Sequence, residues 1–178
     1  MRIIVLTGMP GSGKEEFVQV GISMGYDVVR MGDVVREEAK RLGVINNDKN
    51  IGGFAHSERL KYGYDIWAKR TIPHIHHEKT IIDGSRGLDE LSVFKEAFKD
   101  AVKVVAIHTS PKPRFERLQR RGRADAPNNF EEFEERDKRE LSWGIGSLIA
   151  LADIMLVNES TLECFKRSVR SLLEELSK

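Results

Sequence analysis

The stretch Gly8-Met9-Pro10-Gly11-Ser12-Gly13-Lys14 constrains this chain more than any other. It fits G-x-x-x-x-G-K, directly follows the aliphatic run Ile3-Ile4-Val5-Leu6, and has a helix-competent segment behind it. Strand, glycine loop and helix in that order make a phosphate cradle. The glycines let the backbone turn with its N–H groups inward, the helix N-terminus adds positive potential, and Lys14 reaches the outer phosphates. The next position is usually Ser or Thr, whose hydroxyl ligates Mg2+, but here it is Glu15. A carboxylate is also a hard oxygen ligand, although longer and negatively charged. Glu15 therefore reaches the metal differently, points to solvent, or marks the loss of metal-dependent transfer.

The rest of the chain supplies a sheet to carry that loop. Ile3–Thr7, Thr80–Asp83, Val102–His108 and Asp153–Val157 read as buried strands, with Tyr26–Arg30 as a weaker fifth. Helix-length stretches separate them, the alternation of a parallel α/β sheet. Asp33 is placed to cap a helix running to about Leu42 and ended by Gly43. Leu88, Leu91, Val93, Phe94 and Phe98 share one helical face. Ser160-Thr161-Leu162-Glu163 reads as a capping box opening a last helix, with Leu162, Phe165, Val169, Leu172, Leu173 and Leu176 along its stripe. The polar turn Asn46–Asn50 and the Arg-rich, then acid-rich stretch from Arg114 to Glu140 read as mobile loops on a rigid sheet.

Composition narrows the function classes. A chain of 178 residues is one domain, large enough to bury a core unaided. Its 29 Lys+Arg against 28 Asp+Glu give no net pull toward nucleic acid or membrane. Cys164 is the single cysteine, which excludes an internal disulfide and suits a reducing cytosol. No export signal follows Met1, and Ile145–Val157, interrupted by Gly146, Ser147 and Asp153, is too short to span a bilayer. A cytoplasmic protein with no membrane partner is expected.

Three further groups point to phosphoryl chemistry. Asp83 ends the strand Thr80-Ile81-Ile82 and is followed by Gly84-Ser85-Arg86; an acid there can hold Mg2+, and Arg86 can contact phosphate. Asp33 and Arg36 follow the second strand, where the carboxyl ends of parallel strands face the ligand crevice. Arginines 117, 121 and 123, with Arg136 and Arg139 as the next pair, are expected near the transferred group, since such transfer needs positive charge and water exclusion. Arg59, Lys69 and Arg70 either clasp an acceptor or lie on the surface. Trp67 and Trp143 read as packing residues. His74, His76 and His77 lack the partners that would complete a metal set and read as a solvated helix end.

The trio Gly8–Lys14, Gly32-Asp33-x-x-Arg36 and Asp83-Gly84-x-Arg86 resembles the adenylate kinase and nucleoside monophosphate kinase superfamily. The chain is similar, over nearly its whole length, to an adenylate-kinase-related family found in archaea. The segments Gly63–Thr71, Arg114–Leu118, Arg136–Gly144 and Ala152–Asn158 carry that closer likeness. The resemblance implies a three-layer P-loop kinase fold, α/β, with a five-stranded parallel sheet of order 2-3-1-4-5. It also implies an acceptor-binding helical insert at about 33–78 and an Arg-rich lid at about 114–140. ATP and Mg2+ are the implied cofactors. Gly8, Met9, Pro10, Gly11, Ser12, Gly13, Lys14 and Glu15 would face the donor, with Asn158 near its base. Asp33, Arg36, Arg59, Asp83, Arg86, Arg136 and Arg139 would face a small-molecule nucleotide acceptor, and Glu15 and Asp83 the metal. The Ala152-Asp153 ending and Asp33 also resemble dephospho-coenzyme A kinases, in which the matching Asp acts on an acceptor hydroxyl. An ATP-binding regulator with weak transfer, signalled by Glu15, and an RNA-associated ATPase using the Arg114–Arg123 run are the other readings.

Overall fold

Runs of β-branched residues such as Val104-Val105-Ala106-Ile107 favour strands buried on both faces, and those four residues are fully buried. In the computed structural model, which describes residues 1–44, 48–122 and 126–177, they lie in the fourth of five strands. The strands are β1 (Arg2–Thr7), β2 (Asp27–Arg30), β3 (Lys79–Asp83), β4 (Val102–His108) and β5 (Ile154–Val157). All neighbours are parallel, in the order β2-β3-β1-β4-β5. That is the sheet the family resemblance implies. Helices α1 (Lys14–Ser23), α2 (Met31–Arg41), α3 (Asp48–Tyr62), α4 (Ile66–Thr71), α5 (Leu88–Phe98), α6 (Pro111–Arg120), α7 (Phe130–Ser142), α8 (Ile145–Ala150) and α9 (Leu162–Leu176) fill the connections.

The period-two geometry of β1 divides the core. Ile3 and Val5 face a cluster with Val34, Trp67, Leu91, Phe94 and Leu148, whereas Ile4 and Leu6 face Phe17, Val18, Phe165, Val169 and Leu173. Three layers result, with both faces of the central strands dry. Each fully buried aliphatic side chain contributes about 1.5–3 kcal/mol, so Ile3, Ile4, Val5 and Leu6 anchor β1 firmly in the core. The phosphate loop hangs from its end.

Several expectations need correction. Helix α2 begins at Met31, directly after β2, so Asp33 lies inside its first turn and is not the cap. The C-terminal end is as read, with Val44 N donating to Ala39 O across Gly43. In α9 the cap is Thr161, one residue later than the capping-box spacing places it; its side chain accepts from Cys164 N. The segment 114–140 is largely helical, not loop. Phe115 packs edge-on against Phe130 and Phe133, with centroids 5.4 and 5.6 Å away, clamping α6 to α7. Of the turn read at Asn46–Asn50, residues 46 and 47 lie outside the described residues, and the remainder opens α3. Strand β5 alternates instead of being buried throughout: Met155 is 49% and Val157 61% exposed. His74, His76 and His77 are exposed ahead of β3, and among the described residues no three His, Cys, Asp or Glu side chains gather as metal ligands. No helix among them is long and apolar enough to cross a membrane.

Candidate functional site

The phosphate loop is shaped by close approach. Gly11 has φ +82°, and a Cβ there would sit 2.7 Å from Arg114 O. Gly13 has φ +109°, and a Cβ would strike the Asn158 amide. The loop is held from below by groups distant in sequence. Ser12 O accepts from Asn158 Nδ2 at 2.8 Å and from Thr109 Oγ1 at 3.1 Å. Pro10 O accepts from Arg114 Nη1 at 3.1 Å. Arg114 is itself fixed by Asp137, at 2.9 and 2.5 Å, and by Thr109 O at 3.0 Å. With these carbonyls tied down, and the Ser12 N–H given to Met9 O at 3.1 Å, the other N–H groups of the glycine turn are left for an anion.

Lys14 lies over this cradle and donates to Gly8 O at 2.5 Å and Met9 O at 3.3 Å. Burial lowers its pKa to about 8, with Arg86 and Arg121 pushing the same way and Asp83 and Glu140 opposing. These residues meet in a cavity of about 180 Å³ bounded by Pro10, Gly11, Gly13, Lys14, Glu15, Asp83, Arg86, Leu118, Arg121, Arg136 and Glu140. Asp83 Oδ1 is buried there with no hydrogen-bond partner among the described residues, an unusual state for a carboxylate oxygen. A hard cation beside a phosphate chain would satisfy it, so the residues present fit ATP and Mg2+.

Arg86 is aimed by two carboxylates that spacing alone does not reveal. Its Nε donates to Glu140 at 2.8 Å and its Nη1 to Gly84 O at 2.8 Å. Glu140 on α7 is buried, which raises a carboxyl pKa, but Arg86, Lys14 and Arg136 outweigh that and hold it below the usual range. Glu90 on α5 accepts from Arg86 N at 2.6 Å, Ser85 Oγ at 3.1 Å and Arg59 Nη2 at 3.2 Å. Arg59 and Glu90 form a buried ion pair between α3 and α5, their side chains 5% and 2% exposed. Trp143, capping α7, is approached by the guanidinium groups of Arg59 (5.3 Å), Arg86 (5.8 Å) and Arg139 (6.0 Å). Helix α3, the loop after β3 and helix α7 therefore meet at one aromatic ring.

The structure brings Lys14, Glu15, Asp83, Arg86, Arg121 and Arg136 to one cavity and separates others from it. Arg117 lies outside the lining and donates to Asn158 O at 3.0 Å and Thr109 Oγ1 at 3.3 Å, reinforcing the loop support. Asn158 is buried beneath the loop, its amide spent on Ser12 O. Arg59 is committed to Glu90, and Arg139 is an exposed residue over Trp143. Asp33 and Arg36 are exposed and ion-paired one turn apart at the start of α2. Glu15 pairs with Arg30. Arg123 lies outside the described residues. Sequence reading missed Glu140, Glu90, Thr109, Asp137 and Arg30. Only the acid runs around Glu140 carried a signal, and they read equally well as a solvated helix face.

Comparison with known proteins agrees with this architecture. Residues 7–134 match the family described as an AAA domain. A UPF0200 protein of Thermoplasma acidophilum is 52% identical over 97% of this chain and 96% of its own. Among solved structures, a gluconokinase from Sinorhizobium meliloti 1021 superposes with TM-score 0.59 and 15% identity over 98% of this chain and 93% of its own. A shikimate kinase from Bacteroides thetaiotaomicron does so with TM-score 0.60 and 16% identity over 97% and 98%. At those identities the likeness is one of fold. Sheet order, cradle and relatives converge: the chain belongs to the archaeal UPF0200 family and is built on the P-loop kinase-like fold.

Proposed function

We propose that this protein is an ATP-dependent phosphotransferase that moves the γ-phosphoryl group to a small nucleotide-like acceptor, a nucleoside monophosphate in the first instance. The observation that carries the reading is the meeting of the glycine cradle, Lys14 and the unpartnered Asp83 Oδ1 in one cavity. The loop N–H groups and Lys14 bind and orient the donor phosphates, and Asp83 holds the metal. Bound Mg2+ supplies charge neutralisation across the phosphate oxygens. Arg86, Arg121 and Arg136 surround the place where negative charge is passed on, and α6 and α7 exclude water from it. Asp33 and Arg36, at the carboxyl end of β2, stand on the acceptor side.

One observation favours a second acceptor class. Both arginines expected to grip an acceptor phosphate are already engaged by carboxylates, Arg36 by Asp33 and Arg86 by Glu140. A hydroxyl acceptor of the dephospho-coenzyme A type needs neither arginine free and gives Asp33 a proton to accept. The test is ADP release from Mg-ATP with AMP, CMP, UMP, GMP, the deoxynucleotides and dephospho-coenzyme A, beside a no-acceptor control. Turnover with a monophosphate well above the control is the expected result. Turnover only with dephospho-coenzyme A moves the reading to the hydroxyl class. A flat panel from protein that still binds ATP leaves a nucleotide-binding regulator.

A further inference from the structure

We propose that Arg30 is a positioning residue of the nucleotide site: it clamps Glu15, holds that carboxylate off the metal, and cancels its charge at the mouth of the phosphate loop. The inference rests on the reading that the loop binds nucleotide phosphates. Glu15 occupies the place where a hydroxyl is usual, in the first turn of α1 and on the cavity wall. A bare carboxylate at that point opposes the anion that loop and helix N-terminus are built to attract. Arg30 is the last residue of β2, in register with Asp83 on β3, so it stands at the carboxyl edge of the sheet beside the metal-facing acid. From there its Nη2 donates to both Glu15 oxygens, at 3.0 and 3.2 Å. Gln19 Nε2, one turn along α1, donates to Oε1 at 2.8 Å.

Three donor contacts directed at one carboxylate fix its direction. Arg30 and Glu15 are each about one-third exposed, at 31% and 34%, so the pair adds little to folding stability. What it changes is the field at the loop. A carboxylate cancelled by a guanidinium leaves the cradle as receptive as a hydroxyl would. The cation then falls to Asp83, whose Oδ1 has no other partner among the described residues. The substituted position is in this way compensated from a neighbouring strand.

The test is calorimetric titration of ADP, in excess Mg2+ and in EDTA, into the wild type, Arg30→Met, Glu15→Gln and the double variant. Thermal melts of each report folding. Arg30→Met is expected to weaken ADP binding in EDTA on the order of tenfold, the effect of one uncompensated charge several ångströms away at a protein surface. The loss shrinks in high salt. Arg30→Lys, which keeps the charge, recovers most of the affinity, and Arg30→Gln, which removes it, serves in place of the Met variant should that melt early. Glu15→Gln keeps the wild-type ratio of affinities with and without Mg2+, and the double variant returns to within about threefold of the wild type. Unchanged ADP affinity in Arg30→Met overturns the inference, as does loss of the Mg2+ advantage in Glu15→Gln, which would make Glu15 a metal ligand. Wild type that binds ADP but transfers to no acceptor defeats the transferase reading and leaves the clamp standing. Wild type that binds no ADP defeats both.

Discussion

The two sides of the cavity are built by opposite means. On the donor side the working groups are backbone N–H groups, and side chains remote in sequence serve them from below: Asn158 and Thr109 hold Ser12 O, and Arg114 holds Pro10 O. On the side proposed for the acceptor the groups are side chains, and three arginines there are held by carboxylates: Arg86 of the cavity lining by Glu140, and Arg59 and Arg36, outside that lining, by Glu90 and Asp33. A backbone site is rigid and indifferent to all but the shape of a phosphate chain. A site made of ion pairs is adjustable, because an incoming ligand can exchange with one member of a pair. On the proposed reading, the backbone cradle suits any phosphate chain and the ion-paired side chains would set which acceptor is taken.

Substitutions can break this contrast, beginning with the buried pair. Glu90→Ala strands Arg59 in the interior and releases the Ser85–Arg86 turn, so a loss of about 3–5 kcal/mol is expected. Chemical denaturation measures it, and a loss below 1 kcal/mol would show that the acceptor side is not held as described. Lys14→Ala strikes the donor side. It should lower turnover by about 10²–10³ while leaving the fold intact, since Lys14 serves charge and not packing. A pH series sharpens the same point. With Lys14 lowered to about 8 by burial, its protonated form is what phosphates select, and binding them draws its pKa upward. Nucleotide affinity should be level below about pH 8 and fall by up to about tenfold per unit above it, with one proton taken up on binding. Lys14→Met should flatten the curve. For folding the sign is opposite: the cost of burying charged Lys14 is fully present below about 8 and fades toward its ordinary value of 10.5, so its contribution to stability rises through that window. The smallest effect belongs to the exposed Asp33–Arg36 pair, where Arg36→Met should change stability by less than about 1 kcal/mol. The same variant should raise the acceptor KM, and an unchanged KM would remove Arg36 from the acceptor side.

How much of this was legible in the sequence follows the same division. The glycine loop, the five strands and helices α1, α2, α5 and α9 were readable because their signals are local: continuous aliphatic runs, φ-tolerant glycines, apolar stripes. The caps of α2 and α9 were misplaced, by three residues (Asp33 for Arg30) and by one (Ser160 for Thr161), because polar residues near a helix start compete as caps. Glu140 escaped because its partner is 54 residues away, and Glu90 because Arg59 lies 31 residues off. Spacing rules see pairs three or four apart, and no local pattern distinguishes these two buried glutamates from the exposed Glu131, Glu134 and Glu135. Arg117 illustrates the reverse error. Charge density suggested that it meets the ligand, whereas the Asn158 carbonyl under the loop claims it.

The ring at the junction of α3, the β3 loop and α7 also makes the protein its own reporter. The chain has two tryptophans. Trp67 is sealed in the core with its indole N–H given to Ala55 O, whereas Trp143 is half-buried amid three guanidinium groups. Indole emission is sensitive to nearby charge, so any ligand that rearranges Arg59, Arg86 or Arg139 should be visible in the native fluorescence. Occupancy of the side proposed for the acceptor can thus be followed in solution without a label.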